Sequence, residues 1–292
     1  MRVLIATDLS HGADIAVREG AALAAAPGDA LAIVYALPQP SVLETWARRP
    51  QGEAADRVSA AHESVRERTR GIVGDRAEVF VEDDVDYAAI VLRAQTWTAD
   101  VVVVGSYGGS GLSRGFGSVT ERVLRHAPCS VLVARESAAR GWVLAASDLS
   151  DTSLGTIAAA AVEAKRRRAR LEVVHAMGFL EAEARYVLEL ATPGITSPPG
   201  VVEVVAEELG KSVSLLRVEA TCKVLDRPAA AAVGAEAEAL GAELIVVGAH
   251  GKSGLRLRAL GRVAERIVRT AACSVLAVRP PVVVSSGIAP TA

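Results

Sequence analysis

The sequence is poor in cysteine, in aromatic residues and in net charge, and each shortage excludes a class of protein. Three cysteines occur in 292 residues and none forms a Cys-x-x-Cys pair, so neither a disulfide framework nor a zinc ribbon is expected. Aromatic residues make up 3% of the chain, so alanine, valine and leucine have to build the core. A formal net charge of -2 argues against a nucleic-acid surface and against an acidic-membrane binder.

Long apolar runs are also missing. No segment approaches the length of a membrane span, and the apolar stretch in MRVLIATDLS at the N-terminus is too short for a signal peptide. These absences predict a protein of the reducing cytoplasm, with neither membrane nor nucleic acid among its partners. Cys129 and Cys273 each open an apolar strand pattern and are interpreted as small core residues.

One basic run, KRRRAR at residues 165–170, stands out against the balanced charge. It ends an alanine-rich helical stretch, where cations complement the negative end of the helix dipole. The favoured interpretation is a solvated helix end.

The two halves of the chain repeat each other in the same order. Residues 121–135 (ERVLRHAPCSVLVAR) and 265–279 (ERIVRTAACSVLAVR) agree at nine of fifteen positions. Two further pairs match upstream, namely IATDLS at 5–10 with AASDLS at 145–150, and VVVVGSYG at 101–108 with LIVVGAHG at 244–251. A fixed order of matching segments indicates one domain duplicated. The predicted boundaries are 1–138 and 139–282, followed by a flexible tail at 283–292.

Each half shows strands alternating with helices. The strands are short, near-continuous runs of valine, isoleucine and leucine, and helical stretches separate them. Such strands joined by helices predict a parallel sheet covered on both faces, which is an open α/β fold. Ser10 is the predicted N-cap of the first helix. In the second half, the pattern assigns SVSLLRV at 212–218 to a strand that follows a long central helix.

A glycine-rich stretch, GSYGGSGLSRGFGSVTER at 105–122, follows the apolar strand VVVV in the first half. Ligands of open α/β folds bind at the carboxyl ends of strands, and glycines let backbone N–H groups approach a phosphate. A helix that starts at Ser118 would add free N–H groups and the positive end of its dipole. The alternative is structural, with glycines that only permit turns and a capping box between Ser118 and Glu121.

Two better-known phosphate motifs do not fit. Gly251-Lys252-Ser253 resembles the end of a P-loop, but the glycine required five residues earlier is Val246. A dinucleotide fingerprint would have to follow the first strand, where the sequence is ATDLSHG. Neither motif is therefore predicted.

The DLS after the first strand, the VVVVGSYG…GSVTERVLRHAPCSVLVAR block and its second copy resemble the universal stress protein family. The resemblance covers nearly the whole chain. It implies two tandem α/β domains, each a five-stranded parallel-sheet sandwich of the Rossmann-like type found in adenine-nucleotide α-hydrolases. In one branch of the family, it also implies ATP binding through the pattern G-x2-G-x9-G-[ST].

The resemblance implies a nucleotide-binding site in each half. An aspartate after the first strand lies beside the nucleoside, an alanine ending the second strand lines the adenine slot, and glycines with the next helix start bind phosphates. In the first half, these positions are Asp8, Ala36, Gly105, Gly108, Gly117, Ser118, Val119 and Thr120. In the second half, they are Asp148, Ala176, Gly248, His250, Gly251, Gly261, Arg262 and Val263.

Both halves depart from the family pattern. The first half has eight residues between Gly108 and Gly117 where the pattern has nine, and flexible glycines can absorb the missing residue. The second half keeps the spacing but has Arg262 in place of the serine or threonine. A cation at a helix N-terminus is disfavoured by the dipole, so it needs a partner, either a nucleotide phosphate, Glu265 or an acid of a neighbouring subunit. The first half is therefore favoured as the ATP site.

The five histidines show no pair with metal-ligand spacing, so no zinc site is predicted. His175 ends the second strand of the second half, where it could touch a ligand, but a satisfied near-core histidine is the favoured interpretation. No Ser-His-Asp arrangement is visible, so no catalytic residue is predicted.

Three functions remain open, in this order. The first is an ATP-binding protein of stress response or signalling with at least one degenerate nucleotide site. Mg2+ could accompany the nucleotide at Asp8 or Asp148, although helix capping is the alternative role of both carboxylates. The second is a structural or interaction protein of the same fold that has lost its nucleotide, and the third is a weak ATPase.

The last strand of each half, in CSVLVAR and CSVLAVR, is an apolar edge that needs cover. The family resemblance implies that these two strands pair, so that the halves form a pseudo-dimer. A homodimer through edge strands and further, unidentified protein partners are also expected.

Overall fold

Ten strands form one sheet within the part of the chain that the structure describes. The computed structural model describes residues 1–38, 53–84, 86–106, 117–177, 201–225, 227–250 and 260–280. The strands are β1 (Arg2–Thr7), β2 (Ala30–Ala36), β3 (Glu78–Glu82), β4 (Val101–Gly105), β5 (Ser130–Ala134), β6 (Trp142–Ala146), β7 (Arg170–Ala176), β8 (Thr221–Leu225), β9 (Leu244–Gly248) and β10 (Ser274–Val278). The helices described are α1 (His11–Leu23), α2 (Glu53–Val73), α3 (Asp86–Thr96), α4 (Ser118–His126), α5 (Asp151–Arg167), α6 (Val201–Leu215), α7 (Ala229–Leu240) and α8 (Arg262–Thr270).

The sheet has the order β3-β2-β1-β4-β5-β10-β9-β6-β7-β8. All neighbours are parallel except β5 and β10, which run antiparallel with Leu132 opposite Leu276. Two parallel five-stranded halves are therefore joined by their last strands, and both the α/β fold and the pairing of these strands are confirmed. Since β5 and β10 cover each other, an edge-strand homodimer would have to form through β3 or β8, and it stays a prediction.

Helices cover both faces of the sheet, which is why its central strands are apolar on both sides. Buried residues of α1, α2, α5 and α6 pack on one face, and those of α3, α4, α7 and α8 pack on the other. Cys273 belongs to the second core and Cys129 packs against it, as expected for small core residues. Burial raises the pKa of the Cys129 thiol to about 12 and that of Cys273 to about 11, so both are protonated at neutral pH.

Two arginines at equivalent positions hold the halves together. The Arg135 guanidinium donates hydrogen bonds to the backbone carbonyls of Val268 and Cys273 in the second half. Arg279 donates in the opposite direction, to the carbonyl of Leu124 in the first half. Each guanidinium therefore hydrogen-bonds to carbonyls near the C-terminal end of a helix in the other half, where cations are favoured. The helix is α8 for Arg135 and α4 for Arg279.

The prediction of a solvated helix end at the basic run is wrong for Arg166 and Arg167. Arg167 is 9% exposed and forms ion pairs with Glu163, Glu243 and, across the two halves, Glu19. Arg166 pairs with Glu163 as well. Although burial works against the charge, the glutamates raise the pKa of Arg167 above its ordinary value. Sequence could not reveal these partners because most of them lie far away along the chain.

The strand predicted at 212–218 is also wrong. Helix α6 continues to Leu215, and the strand of this region is β8 at Thr221–Leu225. Leu209 and Val213, four residues apart, both face the core, so the apolar run follows the period of a helix. Strand β8 was hidden because it lies at the sheet edge, where its first residues are exposed and polar.

Gly20 brings α1 close to β1. A Cβ atom at this position would lie 2.5 Å from Cγ1 of Ile5 and 2.6 Å from its Cδ1, and Ile5 is fully buried. The close packing of helix on strand therefore needs glycine here, even though glycine weakens a helix interior.

Gly20→Ala is expected to lower the free energy of unfolding by roughly 1–3 kcal/mol, because the buried Ile5 side chain has to move. Gly155 in α5 is the matched control, since nothing lies within 4 Å of a Cβ atom there. Gly155→Ala should raise stability by about 0.5–1 kcal/mol through helix propensity alone. Urea unfolding followed by circular dichroism measures both changes, and a stabilising Gly20→Ala would contradict the packing argument.

Candidate functional site

A cavity of about 610 Å³ lies at the carboxyl ends of β1, β2 and β4 in the first half, facing the start of α4. It has the position at which open α/β sheets bind ligands. The residues predicted from the sequence that line it are Asp8, Ala36, Gly105, Gly117, Ser118, Val119 and Thr120. Gly108 lies outside the described residues.

The second half has an equivalent cavity of about 470 Å³ at the carboxyl ends of β6, β7 and β9. The predicted residues that line it are Asp148, Ala176, Gly248, His250, Gly261, Arg262 and Val263. Gly251 lies outside the described residues. The structure therefore brings together all the predicted residues that it describes, in two separate groups.

The glycine-rich loop is closed in the same way in both halves. The Gly117 N–H donates to the Ser106 carbonyl at 3.2 Å, and the Gly261 N–H donates to the Ala249 carbonyl at 2.8 Å. These bonds enclose residues 107–116 in the first half and 250–260 in the second. The residue missing from the first half falls inside the loop, so the two helix starts keep equivalent geometry.

The capping box considered as the structural alternative at Ser118 is wrong, because the N-cap of α4 is Gly117, and no side-chain hydrogen bond caps the helix within the described residues. Gly117 has φ -63° and ψ 136°, and Gly261 before α8 has φ -64° and ψ 142° with no side-chain cap either. The N–H groups of a helix's first turn have no acceptor within the helix. Both cavities therefore face uncapped N–H groups and a positive dipole end, which suits an anion.

Thr120, which also lines the first cavity, forms a hydrogen bond within the protein through its hydroxyl. Its hydroxyl donates to the Gly105 carbonyl at 2.7 Å, and the residue is buried. The hydroxyl proton thus ties the end of β4 to the first turn of α4 and is not available to a phosphate. Ser118, in contrast, is exposed at the mouth of the cavity.

The aspartates after the first strand of each half shape a turn. Asp8 Oδ1 accepts from the Ser10 N–H at 3.0 Å, and Asp148 Oδ1 accepts from the Ser150 N–H at 3.1 Å. Ser10 then caps α1, as predicted, because its Oγ accepts from the Ala13 N–H. These carboxylates hold the start of the next helix while their residues line the cavities.

Sequence reasoning missed two acidic residues of the first cavity, Asp84 and Asp86. Both follow β3, whose carboxyl end lies at the same edge of the sheet as those of β1 and β2. The rule that carboxyl ends of parallel strands meet could have pointed to them. With Asp8, three aspartates therefore line the first cavity.

The second cavity has a different charge. His175 and His250 line it together with Arg262, and Asp148 is the acid that sequence reasoning placed there. His175 is buried, with Nδ1 2.8 Å from the Ser147 carbonyl oxygen, so the satisfied near-core histidine is confirmed, although it also lines the cavity.

Glu265 is not the partner of Arg262. Glu265 pairs with Arg269 at 3.2 Å and with Arg125 of the first half at 3.4 Å. Among the residues that the structure describes, Arg262 forms no ion pair, and it is exposed at the first position of α8. Of the partners considered from the sequence, an anionic ligand or an acid of another subunit remains.

The described residues contain neither a cluster of metal ligands nor a helix that could span a membrane. Within these ranges, no group of three or more His, Cys, Asp or Glu residues could hold a metal ion. No helix among them is both long and apolar enough to cross a membrane.

Comparisons with known proteins agree on one family. A model of the universal stress protein family matches residues 1–135 and again residues 142–279. Universal stress protein Rv2005c of Mycobacterium tuberculosis is 29% identical to this chain over 295 residues, with 95% of this chain and 96% of that protein covered.

Solved structures share the fold. A universal stress protein from Archaeoglobus fulgidus matches with a TM-score of 0.62 at 19% identity, covering 95% of this chain and 98% of its own. Two other universal stress protein structures, in complex with cAMP and with dAMP, cover 49% and 48% of this chain. Their TM-scores of 0.36 and 0.35 are too low to transfer those ligands to this chain.

Proposed function

This chain belongs to the universal stress protein family, and we propose that it is a nucleotide-binding protein of stress response or signalling whose ligand is ATP. The proposed domains are residues 1–138 and 139–282, each with its own cavity, and the proposed location is the cytoplasm. We propose that any hydrolysis of ATP is slow, because the sequence shows no catalytic arrangement of residues.

One observation carries the proposal. In each half, an uncapped helix N-terminus faces a cavity at the carboxyl ends of three parallel strands, and the same backbone bond closes the loop before it. The N–H groups suit phosphates, and the apolar walls of a cavity of several hundred Å³ suit a base and ribose.

The first cavity is proposed as the better ATP site. It is the larger of the two, and Ser118 adds an exposed hydroxyl beside the N–H groups of α4. Its aspartates would repel a bare triphosphate, so Mg2+ between Asp84 or Asp86 and the phosphates is part of the proposal. In the second cavity, Arg262, which forms no ion pair within the described ranges, supplies positive charge, so binding there should depend less on Mg2+.

The test is to purify the protein without added nucleotide, denature it and identify released small molecules by mass spectrometry, with a stoichiometry per chain. We expect ATP at about one molecule per chain, since the first cavity is the better site. Titration calorimetry with ATP should then show weaker binding after EDTA replaces Mg2+. No released nucleotide, followed by no binding at millimolar ATP and Mg2+, would favour the interaction protein without nucleotide.

A further inference from the structure

A third large cavity lies at the opposite end of the sheet from both nucleotide cavities. It has a volume of about 710 Å³ and is found in the second half, at the amino ends of β6, β7 and β8. The C-terminal part of α5 forms one wall, and the segment that leads into β8 forms the other. The residues that matter below are Trp142, Lys165, Arg170, Leu171, Arg217 and Glu219. None of them belongs to the site proposed for ATP.

In the first half, the side chain of Arg76 crosses the corresponding space. The Arg76 guanidinium donates to the carbonyl of Ala24 at 2.7 Å and to that of Ala21 at 2.8 Å, at the end of α1. Arg76 thereby spans from the segment before β3 to the end of the helix, so the two walls are bridged.

The second half has a different residue at the position equivalent to Arg76. Glu78 begins β3 and Thr221 begins β8, and the two strands pair in the same register with β2 and β7. Two residues earlier, Arg76 of the first half therefore corresponds to Glu219 of the second. A carboxylate cannot donate to helix carbonyls, so Glu219 cannot replace the arginine.

The end of α5 does not need a side chain to satisfy its carbonyls. Arg168 adopts a left-handed conformation with φ 55°, and its backbone N–H bonds to the carbonyls of Ala164 and Lys165. This local cap leaves the space between α5 and the segment before β8 open.

The open cavity combines cations with an aromatic ring and an apolar floor. The Arg170 guanidinium lies 4.0 Å from the centre of the Trp142 ring. Lys165, Arg170 and Arg217 form no ion pair with any residue in the described ranges, and Glu219 is the acid among the lining residues. Within the basic run, Arg166 and Arg167 thus pair with glutamates, whereas Lys165 and Arg170 line this cavity.

We propose that this cavity binds a small amphipathic organic anion, an aromatic ring that carries one acidic group. The ring would lie on the apolar floor beside Trp142, and the acidic group would be held by Arg170, Arg217 and Lys165. The volume lies within the range of small-molecule sites, and the proposal is independent of nucleotide binding.

The test uses 8-anilinonaphthalene-1-sulfonate, whose emission rises on binding, with the intact chain. We expect saturable binding at about one dye per chain that saturating ATP does not displace. N-phenyl-1-naphthylamine, the same rings without the sulfonate, should bind much more weakly at this site. Displacement of the sulfonate dye by ATP would place it in a nucleotide cavity and would overturn the proposal.

Three variants separate this site from general dye binding. Arg170→Ala and Arg217→Ala should each weaken sulfonate binding roughly tenfold, and the two changes together should abolish it, because they remove two of the three cations that line the cavity. Arg18→Ala, which removes an exposed cation of the first half, is the matched control and should change nothing. Unchanged dye affinity in the double variant, with unfolding showing a folded protein, would refute the site.

Discussion

Replacing Arg167 by methionine is expected to lower the free energy of unfolding by roughly 3–5 kcal/mol, because it leaves the buried Glu243 carboxylate without its cation and Glu163 with Arg166 alone. Glu163 and Glu243 are both less than a tenth exposed, and each is paired with Arg167. Methionine keeps much of the arginine's apolar volume, so the loss measures charge and hydrogen bonding more than packing. Urea unfolding at neutral pH gives the value.

The control for this variant is an exposed ion pair between an arginine and a carboxylate. Arg70 pairs with Asp75 at 3.1 Å, with side chains 73% and 85% exposed. Arg70→Met should change stability by about 0–1 kcal/mol, since water screens this pair. Adding Glu243→Met to Arg167→Met should recover part of the loss, because it removes the buried carboxylate whose ion pair with Arg167 is lost. Equal losses of unfolding free energy for Arg167→Met and Arg70→Met would show that the buried ion pairs contribute no more to stability than an exposed one.

Gly117→Asp is expected to weaken ATP binding by roughly 100-fold or more, while the Tm stays unchanged or rises slightly. The backbone of Gly117, at φ -63° and ψ 136°, already suits an aspartate N-cap. Its carboxylate would bond to the N–H groups of the first turn of α4 and repel the phosphates that should occupy them. Loss of binding without loss of stability is the signature to be measured, by calorimetry and thermal unfolding.

Two matched variants make this result specific. Gly117→Ser adds a neutral cap, so it competes for the N–H groups without repelling phosphate and should cost less affinity than Gly117→Asp. Gly261→Asp makes the same change at the second cavity. If Gly117→Asp has no effect but Gly261→Asp removes binding, the second cavity is the ATP site. If the wild-type protein binds ATP and neither aspartate matters, the nucleotide binds elsewhere.

The two carboxyl-end cavities share a backbone frame but differ in charge. Asp84 and Asp86 line the first cavity, whereas Arg262 and two histidines line the second. Duplication allows the two copies to diverge while their shared fold is kept. The open cavity at the amino ends of β6 and β7 is a second example, since it exists in the half that lost the bridging arginine.

Much of the fold of this protein could be predicted from local patterns in the sequence. The repeat, the alternation of apolar strands with helices and the pairing of the last strands followed from periodicity, from family resemblance and from the need to cover apolar edges. The family resemblance implied the grouping of Asp8 with Gly117 and of Asp148 with Gly261, and the structure brings each pair to one cavity because the carboxyl ends of parallel strands meet at one edge. These features depend on order along the chain, which a sequence displays directly.

Other features depend on distance in space, and a sequence does not display that. Arg167 can pair with Glu19 and Glu243 only because folding brings remote segments of the chain together. The same holds for the hydrogen bond from Arg76 to the end of α1, which Glu219 cannot form at the equivalent position of the second half. Strand β8 was missed because an edge strand has one neighbour and so little need of apolar residues. The fold class is therefore set by local hydrophobic periodicity, whereas the partner of each charge is chosen by packing between segments remote in sequence.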